Sequence, residues 1–280
     1  MAYIRETFKS VDGKLMIVKK HHNLFAMPTK AKIKQKRMPK VNETEDKQIK
    51  INERHRKEKN MRLIADNFKA GDYYMTFTTD KKMTADEFKE NFRAFMKRFR
   101  REYEKRTGEK IKYFRVMENL IGSGRPHAHM LVSNFCQAEL VRGIMAGLWQ
   151  EGNVKVDVYG GMAQDAYNLS SYFSKQDKKE HGAKIDTSRG NLIRREPKKE
   201  VIHAETFRDE IIAPKGWRVV KPLSYNTTTE TGFPYQIAVF EKIEKVNFKN
   251  ERLGKVQRES KKTVQRSSKQ KSGTPARKND

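Results

Sequence analysis

Residues 112–133 read KYFRVMENLIGSGRPHAHMLVS, and this stretch decides the fold. Its first seven residues alternate apolar and polar as a strand, and its last seven, HAHMLVS, alternate as a second. Gly122, Gly124 and Pro126 lie in the link between them. Such residues turn a chain sharply, and so short a link makes the two strands an antiparallel hairpin. Upstream, residues 73–79 (YYMTFTT) are aromatic and β-branched and stand between Gly71-Asp72 and Asp80-Lys81-Lys82, which predicts a further strand. Thr84 with Glu87 three positions on is a capping box. Phe88, Phe92, Phe95, Met96, Phe99 and Tyr103 then recur at helical spacing, an apolar stripe about five turns long that predicts a helix packed on a sheet and stopped by Gly108. A helix over 137–149, a strand over 154–159 and a helix from about 162 to 178 complete the series. The order β-α-β-β-α-β plus one helix is the split β-α-β, ferredoxin-like arrangement of the α+β class. It sets an antiparallel sheet against its two connecting helices and leaves the other face for a ligand or another helix.

The 280 residues include 61 Lys+Arg against 35 Asp+Glu, a net charge of +26, with 36% hydrophobic and 10% aromatic residues. The chain is too aromatic for wholesale disorder and too polar to be all core. Positive charge spread over both ends and the middle excludes an acidic, partner-free enzyme as the default. It points instead to a polyanion, nucleic acid first. Residues 1–60 read as a basic arm, with Pro28, Pro39 and a dense run at 30–37, leading into a charged helix near 47–67. Residues 61–180 form the central domain. Residues 181–249 form an accessory region with strands near 217–220 and 235–240, and 250–280, rich in Lys, Ser and Gln, form a disordered basic tail. No apolar run approaches the roughly 20 residues of a membrane helix, so no membrane partner is expected. The amino end lacks the apolar block of about 7–15 residues that a secretory signal carries. Cys136 is the single cysteine, which permits no internal disulfide and favours a reducing, cytoplasmic setting.

Period two in a strand puts His127 and His129 on one face, with Ala128 and Met130 turned toward the helices. Glu118 ends the preceding strand, and the returning link brings its carboxylate to the same patch. Two imidazoles and a carboxylate suit a divalent ion, Mg²⁺ or Mn²⁺ in use, although such a set would also take Zn²⁺ or Ni²⁺. A His-x-His pair by itself also fits two hydrogen-bonding strand histidines. On the last helix, Tyr172 and Lys175 project from one side. A phenol with its ordinary pKa near 10 attacks at neutral pH only beside positive charge or on a metal-polarised target, and Lys175 and the ion would supply these. Tyr167 is the rival nucleophile, turned about 140° around the helix from Tyr172.

YYMTFTTD at 73–80, GRPHAHMLV at 124–132 and YFSK at 172–175, in that order, resemble the three motifs of rolling-circle replication initiators of the HUH endonuclease superfamily. The resemblance is closest to the Rep proteins of bacterial plasmids and related phage-like mobile elements, and it covers about residues 60–220. It implies an HUH nuclease fold with Glu118, His127 and His129 as metal ligands, Tyr172 as the nucleophile that becomes linked to DNA, and Lys175 as its partner. Thr76 and Thr78 of the first motif would lie on the DNA path, and Arg125 would grip backbone. The implied activity is site-specific nicking of single-stranded origin DNA through a 5′-phosphotyrosine, leaving a 3′-hydroxyl primer for a host DNA polymerase in the bacterial cytoplasm. Gln176 stands where many relatives carry a second tyrosine, which implies a single-tyrosine cycle. No G-x-x-x-x-G-K-[ST] loop occurs, so unwinding falls to a host helicase. Relaxases and single-tyrosine transposases share the same residues. A rival of another class is a non-enzymatic RNA- or single-strand-binding module, since the same element order builds RNA-recognition domains. Such a module would want stacking aromatics where His127 and His129 stand.

Overall fold

Thr84 opens the long aromatic helix as the sequence requires: its hydroxyl accepts from the Glu87 N–H while the Glu87 carboxylate accepts from the Thr84 N–H. Gly108 closes the helix in left-handed backbone at φ 71°, a conformation that costs glycine least. The computed structural model describes residues 2–22, 46–80, 83–122, 124–174, 184–229 and 232–243. In chain order these form β1 (Tyr3–Lys9), β2 (Leu15–His22), α1 (Asp46–Asn67), β3 (Tyr73–Phe77), α2 (Ala85–Thr107), β4 (Tyr113–Glu118), β5 (His127–Val132), α3 (Ala138–Leu148), β6 (Val154–Val158) and α4 (Ala163–Ser174). They continue with β7 (Lys184–Thr187), β8 (Lys198–Ile202), β9 (Trp217–Val219), a 3-10 turn (Lys221–Leu223), β10 (Tyr225–Thr228) and β11 (Pro234–Lys242). Lys175, the basic run at 30–37 and the tail at 250–280 lie outside the described residues.

The molecule is α+β with antiparallel sheets. One sheet runs β6-β3-β5-β4-β7, which is the split β-α-β order with β7 added at an edge. Its strands begin and end within two residues of the sequence expectation. On one face, Met75, Phe77, Ala128 and Met130 are fully buried against the α2 stripe, whose six apolar residues are all in the core. Phe77 meets Phe92, Phe95 and Trp149 at ring-centroid distances of 5.3, 4.9 and 5.8 Å, and burial on this scale supplies most of the driving force for the layer.

The opposite face is covered over half its length rather than left open. Phe114, Val116 and Leu131 pack with Ile64 of α1 and Ala166 and Phe173 of α4, and Phe173 stacks on Phe114 at 5.0 Å. Behind those two helices stands a second sheet, β10-β11-β2-β1-β8 with β9 beside β11. α1 falls where the sequence predicts its charged helix. The first 22 residues, which the sequence pattern suggests as part of a basic arm, pair instead as a hairpin, Tyr3 opposite His22 and Lys9 opposite Met16. That hairpin is held by strands from the other end of the chain, Tyr3 opposite Ile202 and Ile17 opposite Val239. Met1–Lys242 form one compact unit. No helix among the described residues is long and apolar enough to cross a membrane.

Candidate active site

The uncovered end of the first sheet holds the charged residues. In the β4–β5 register Glu118 stands opposite His127 and Val116 opposite His129, so both imidazoles and the carboxylate share one face. One ligand atom from each of Glu118, His127 and His129 lies within 4.8 Å of the others. His127 Nε2 is 3.2 Å from Glu118 Oε2, and the two imidazole rings stand nearly perpendicular at 5.2 Å. Glu118 and His129 are buried.

Each ring is held from behind. The Nδ1 of His129 lies 3.0 Å from the Tyr74 hydroxyl and 3.1 Å from Thr76 Oγ1, and Tyr74 lies parallel to the ring at 5.9 Å. His127 Nδ1 lies 3.1 Å from the Arg125 carbonyl, which also accepts from Asn119 Nδ2 at 3.2 Å. With Nδ1–H donating to these oxygens, each Nε2 keeps its lone pair toward the shared centre, as ligation requires. Asn119 sits at φ 54°, a left-handed conformation that asparagine tolerates better than most residues. It lies so close to Gly124 that a Cβ there would come within 3.0 Å of Asn119 Cγ.

Tyr172 of α4 reaches the same centre. Its hydroxyl is 2.8 Å from His129 Nε2 and 3.2 Å from Glu118 Oε2, and its ring meets the His129 ring edge-on at 5.0 Å. Burial first, and then the Glu118 carboxylate, push the Tyr172 phenol well above its ordinary range. The same two causes raise Tyr74. A cation at the centre would offset the carboxylate and oppose that rise.

Two elements outside the motifs fix the height of α4. Asn60 of α1, itself buried, donates to Ser174 Oγ at 3.1 Å. At the other end Glu241 of β11 accepts from the Ala163 N–H at 2.7 Å, placing a carboxylate at the positive end of the helix dipole. Glu241 is in turn held by Arg218 at 2.7 Å.

The remaining sequence-predicted residues fall in different places. The Thr76 hydroxyl is spent on His129, and Thr78 Oγ1 donates to the Asn153 carbonyl at 3.2 Å. Arg125 is exposed and donates to the Thr79 carbonyl at 3.3 Å, leaving further N–H groups outward. Tyr167 turns away from the centre: Lys57 Nζ lies 3.7 Å from its ring centroid, and it lines a cavity against the second sheet. Lys175 lies outside the described residues. Tyr74, Asn119, Asn60 and Glu241 are not read from the sequence. Period two would have put Tyr74 on the His129 face, whereas Asn60 and Glu241 come from elements distant in the chain and carry no local signal.

No curated protein and no solved structure matches the chain. Residues 72–177 match the family model for the replication-associated protein ORF2. That span takes in β3 to α4 with Glu118, His127, His129 and Tyr172, and the match supports a rolling-circle replication initiator, the family that the three motifs resemble.

Proposed function

We propose that this replication-associated protein is a site-specific DNA nickase that starts rolling-circle replication by joining Tyr172 to one strand of the origin. The observation that carries the reading is the meeting of the Tyr172 hydroxyl with His129 and Glu118, at 2.8 and 3.2 Å, inside a His₂Glu cluster.

Glu118, His127 and His129 would hold a divalent cation, Mg²⁺ or Mn²⁺. The donor set fits one: a buried carboxylate, two imidazoles with Nδ1 engaged by oxygens, and ligand atoms within 4.8 Å of one another. Bound there, the ion supplies Lewis-acid polarisation of a phosphate oxygen. The Tyr172 oxygen attacks the phosphorus as the bond from phosphorus to the 3′-oxygen breaks. The phenol loses one proton to solvent and the departing 3′-oxygen gains one. The products are a 5′-phosphotyrosine and a free 3′-hydroxyl, and the ester energy is conserved, so rejoining needs no ATP. Lys175 balances the phenolate or phosphate charge. Arg125 holds backbone, which positions the strand without choosing its sequence. A host polymerase extends the 3′-hydroxyl, and a host helicase opens the duplex, in the cytoplasm of a cell carrying a plasmid or related mobile element. The nuclease domain proper is residues 61–180.

The test is incubation of the full chain with single-stranded origin oligonucleotides and Mn²⁺ or Mg²⁺, read on denaturing gels for a protein–DNA adduct. Tyr172→Phe, which keeps the ring packed, is expected to lose both nick and adduct, and chelation is expected to do the same. An adduct that survives Tyr172→Phe overturns the assignment.

A further inference from the structure

The row of side chains that contains His129 continues across the whole sheet. Register sets Ile185 of β7, Val116, His129, Thr76 and Lys155 of β6 side by side on one face. At its β7 end the row runs into a cavity of about 470 Å³ between α1 and β7, a volume within the roughly 300–1,000 Å³ range of ligand sites. Asn60, which ties down Ser174 two residues from Tyr172, lines this cavity as well. One end of the groove therefore lies beside the last turn of the helix that carries the phenol.

Its walls combine two chemistries. Lys59 and Arg62 come from α1 and Arg194 from the segment after β7, while Ile185 and Ile193, each 38% exposed, offer apolar surface to solvent. The carboxylates in the lining are already engaged: Asp66 by Arg195 at 2.6 Å, Asp186 by Arg115 at 2.6 Å and Glu196 by Arg62 at 3.3 Å. Arg194 gives one N–H to Thr187 Oγ1 at 2.8 Å and has others to offer. Cations beside exposed apolar side chains suit a polyanion whose bases are accessible. A duplex turns its bases inward and would leave the isoleucines without partners, whereas a single strand uses both.

We propose that the groove between α1 and β7 holds the single strand flanking the cleaved phosphate, with Lys59, Arg62 and Arg194 on its phosphates and Ile185 and Ile193 against its bases. This rests on the nicking at Tyr172 for its place in the reaction, but the binding is measurable without metal or cleavage. The probe is a fluorescent oligo(dT) of about 20 nucleotides, titrated with the full chain in chelator over a series of salt concentrations.

The Lys59→Ala/Arg194→Ala double variant is expected to bind at least 5-fold more weakly. Its slope of log affinity against log salt should flatten by about 1.4, from about 0.7 per phosphate contact on single strands. Lys97→Ala/Arg101→Ala removes the same charge from the exposed side of α2 and is expected to leave the slope near that of the parent. Ile185→Glu, at an exposed position, is expected to weaken binding about 10-fold with an unchanged circular dichroism spectrum. Equal slopes for the two double variants, or parental affinity for Ile185→Glu, overturn the groove. Tyr172→Phe serves as the separating control: loss of groove binding on Lys59→Ala/Arg194→Ala, alongside an adduct that survives Tyr172→Phe, keeps the groove and removes the nicking.

Discussion

His129 has two hydroxyls behind its Nδ1, Tyr74 at 3.0 Å and Thr76 at 3.1 Å, but an Nδ1–H carries one proton and needs one acceptor. Tyr74→Phe keeps the parallel ring and removes one oxygen; Thr76→Val keeps the shape and removes the other. Either single change leaves an acceptor in place. Each is expected to cost about 0.5–1 kcal/mol of metal affinity, a few-fold in Kd, near the low end for a neutral hydrogen bond. The double variant leaves Nδ1 unpartnered on a ring that is only 8% exposed, free to turn or to take the wrong tautomer. Losses from outer partners of ligating histidines run about 10–100-fold, or about 1.4–2.8 kcal/mol, so the double change should cost clearly more than the two singles summed. Calorimetric titration of the full chain with Mn²⁺ measures this, with circular dichroism to show that the fold is intact and His129→Ala as the reference for a lost ligand. Parental affinity in the double variant would refute the orienting role. Parental affinity in His129→Ala would refute the metal centre itself.

Gly124→Ala sets a Cβ within 3.0 Å of Asn119 Cγ and should push Asn119 off the Arg125 carbonyl, weakening Mn²⁺ binding several-fold in the same titration while Tm moves little. Gly152→Ala would drive a Cβ into the Thr78 carbonyl oxygen and to 2.7 Å from the Asp80 nitrogen. Backbone at the exit of β3 has no room to yield, so a loss of about 3 kcal/mol or more is expected in denaturant unfolding. Phe95→Ala empties a fully buried site ringed by Phe77, Phe92, Phe99 and Trp149, for a loss of about 3–5 kcal/mol and a Tm lower by about 10 °C. Glu6 is pulled down from its ordinary 4.5 to about 2, chiefly by its hydrogen bond to His21 and then by Lys19 and Lys199, against the opposing effect of burial. A carboxylate with a lowered value contributes stability above pH 4.5 and loses it as pH falls toward 2. Glu6→Gln should therefore destabilise by about 1–3 kcal/mol at neutral pH, and chemical unfolding should show the gap to the parent closing between pH 4.5 and 2.

The ferredoxin-like core is legible because each of its signals is local: a stripe of six apolar residues at helical spacing, a capping box, a glycine stop, and two alternating strands joined by a tight link. The ligand set is legible for the same reason, since period two and one short turn place Glu118, His127 and His129 together without knowledge of anything distant. β1, β2 and β8 are not legible. β1 pairs with residues nearly 200 positions away, Tyr3 with Ile202, and its inward face carries Glu6, which meets His21 at 3.5 Å and Lys199 at 3.1 Å, so the apolar alternation that marks a half-buried strand is missing. α1 is visible only as a charged helix, because half of it packs on that polar sheet and half on Phe114 and Leu131. Tyr172 is legible as a side chain three before a lysine, but what sets its height, Asn60 below and Glu241 above, comes from elements whose nearness only folding reveals.

The second sheet draws its middle strands from the first 22 residues and their neighbours from 198–242. During synthesis β1 and β2 wait for partners that the ribosome has not yet made. Until β11 arrives, Tyr235, Ile237 and Val239 are missing from the layer behind α1 and α4, and α4 has no Glu241 at its first amide. An unfinished polypeptide would thus hold its phenol loosely, and cutting competence would come only with the last strand, after release from the message, so that a half-made initiator spares the template it is still being read from.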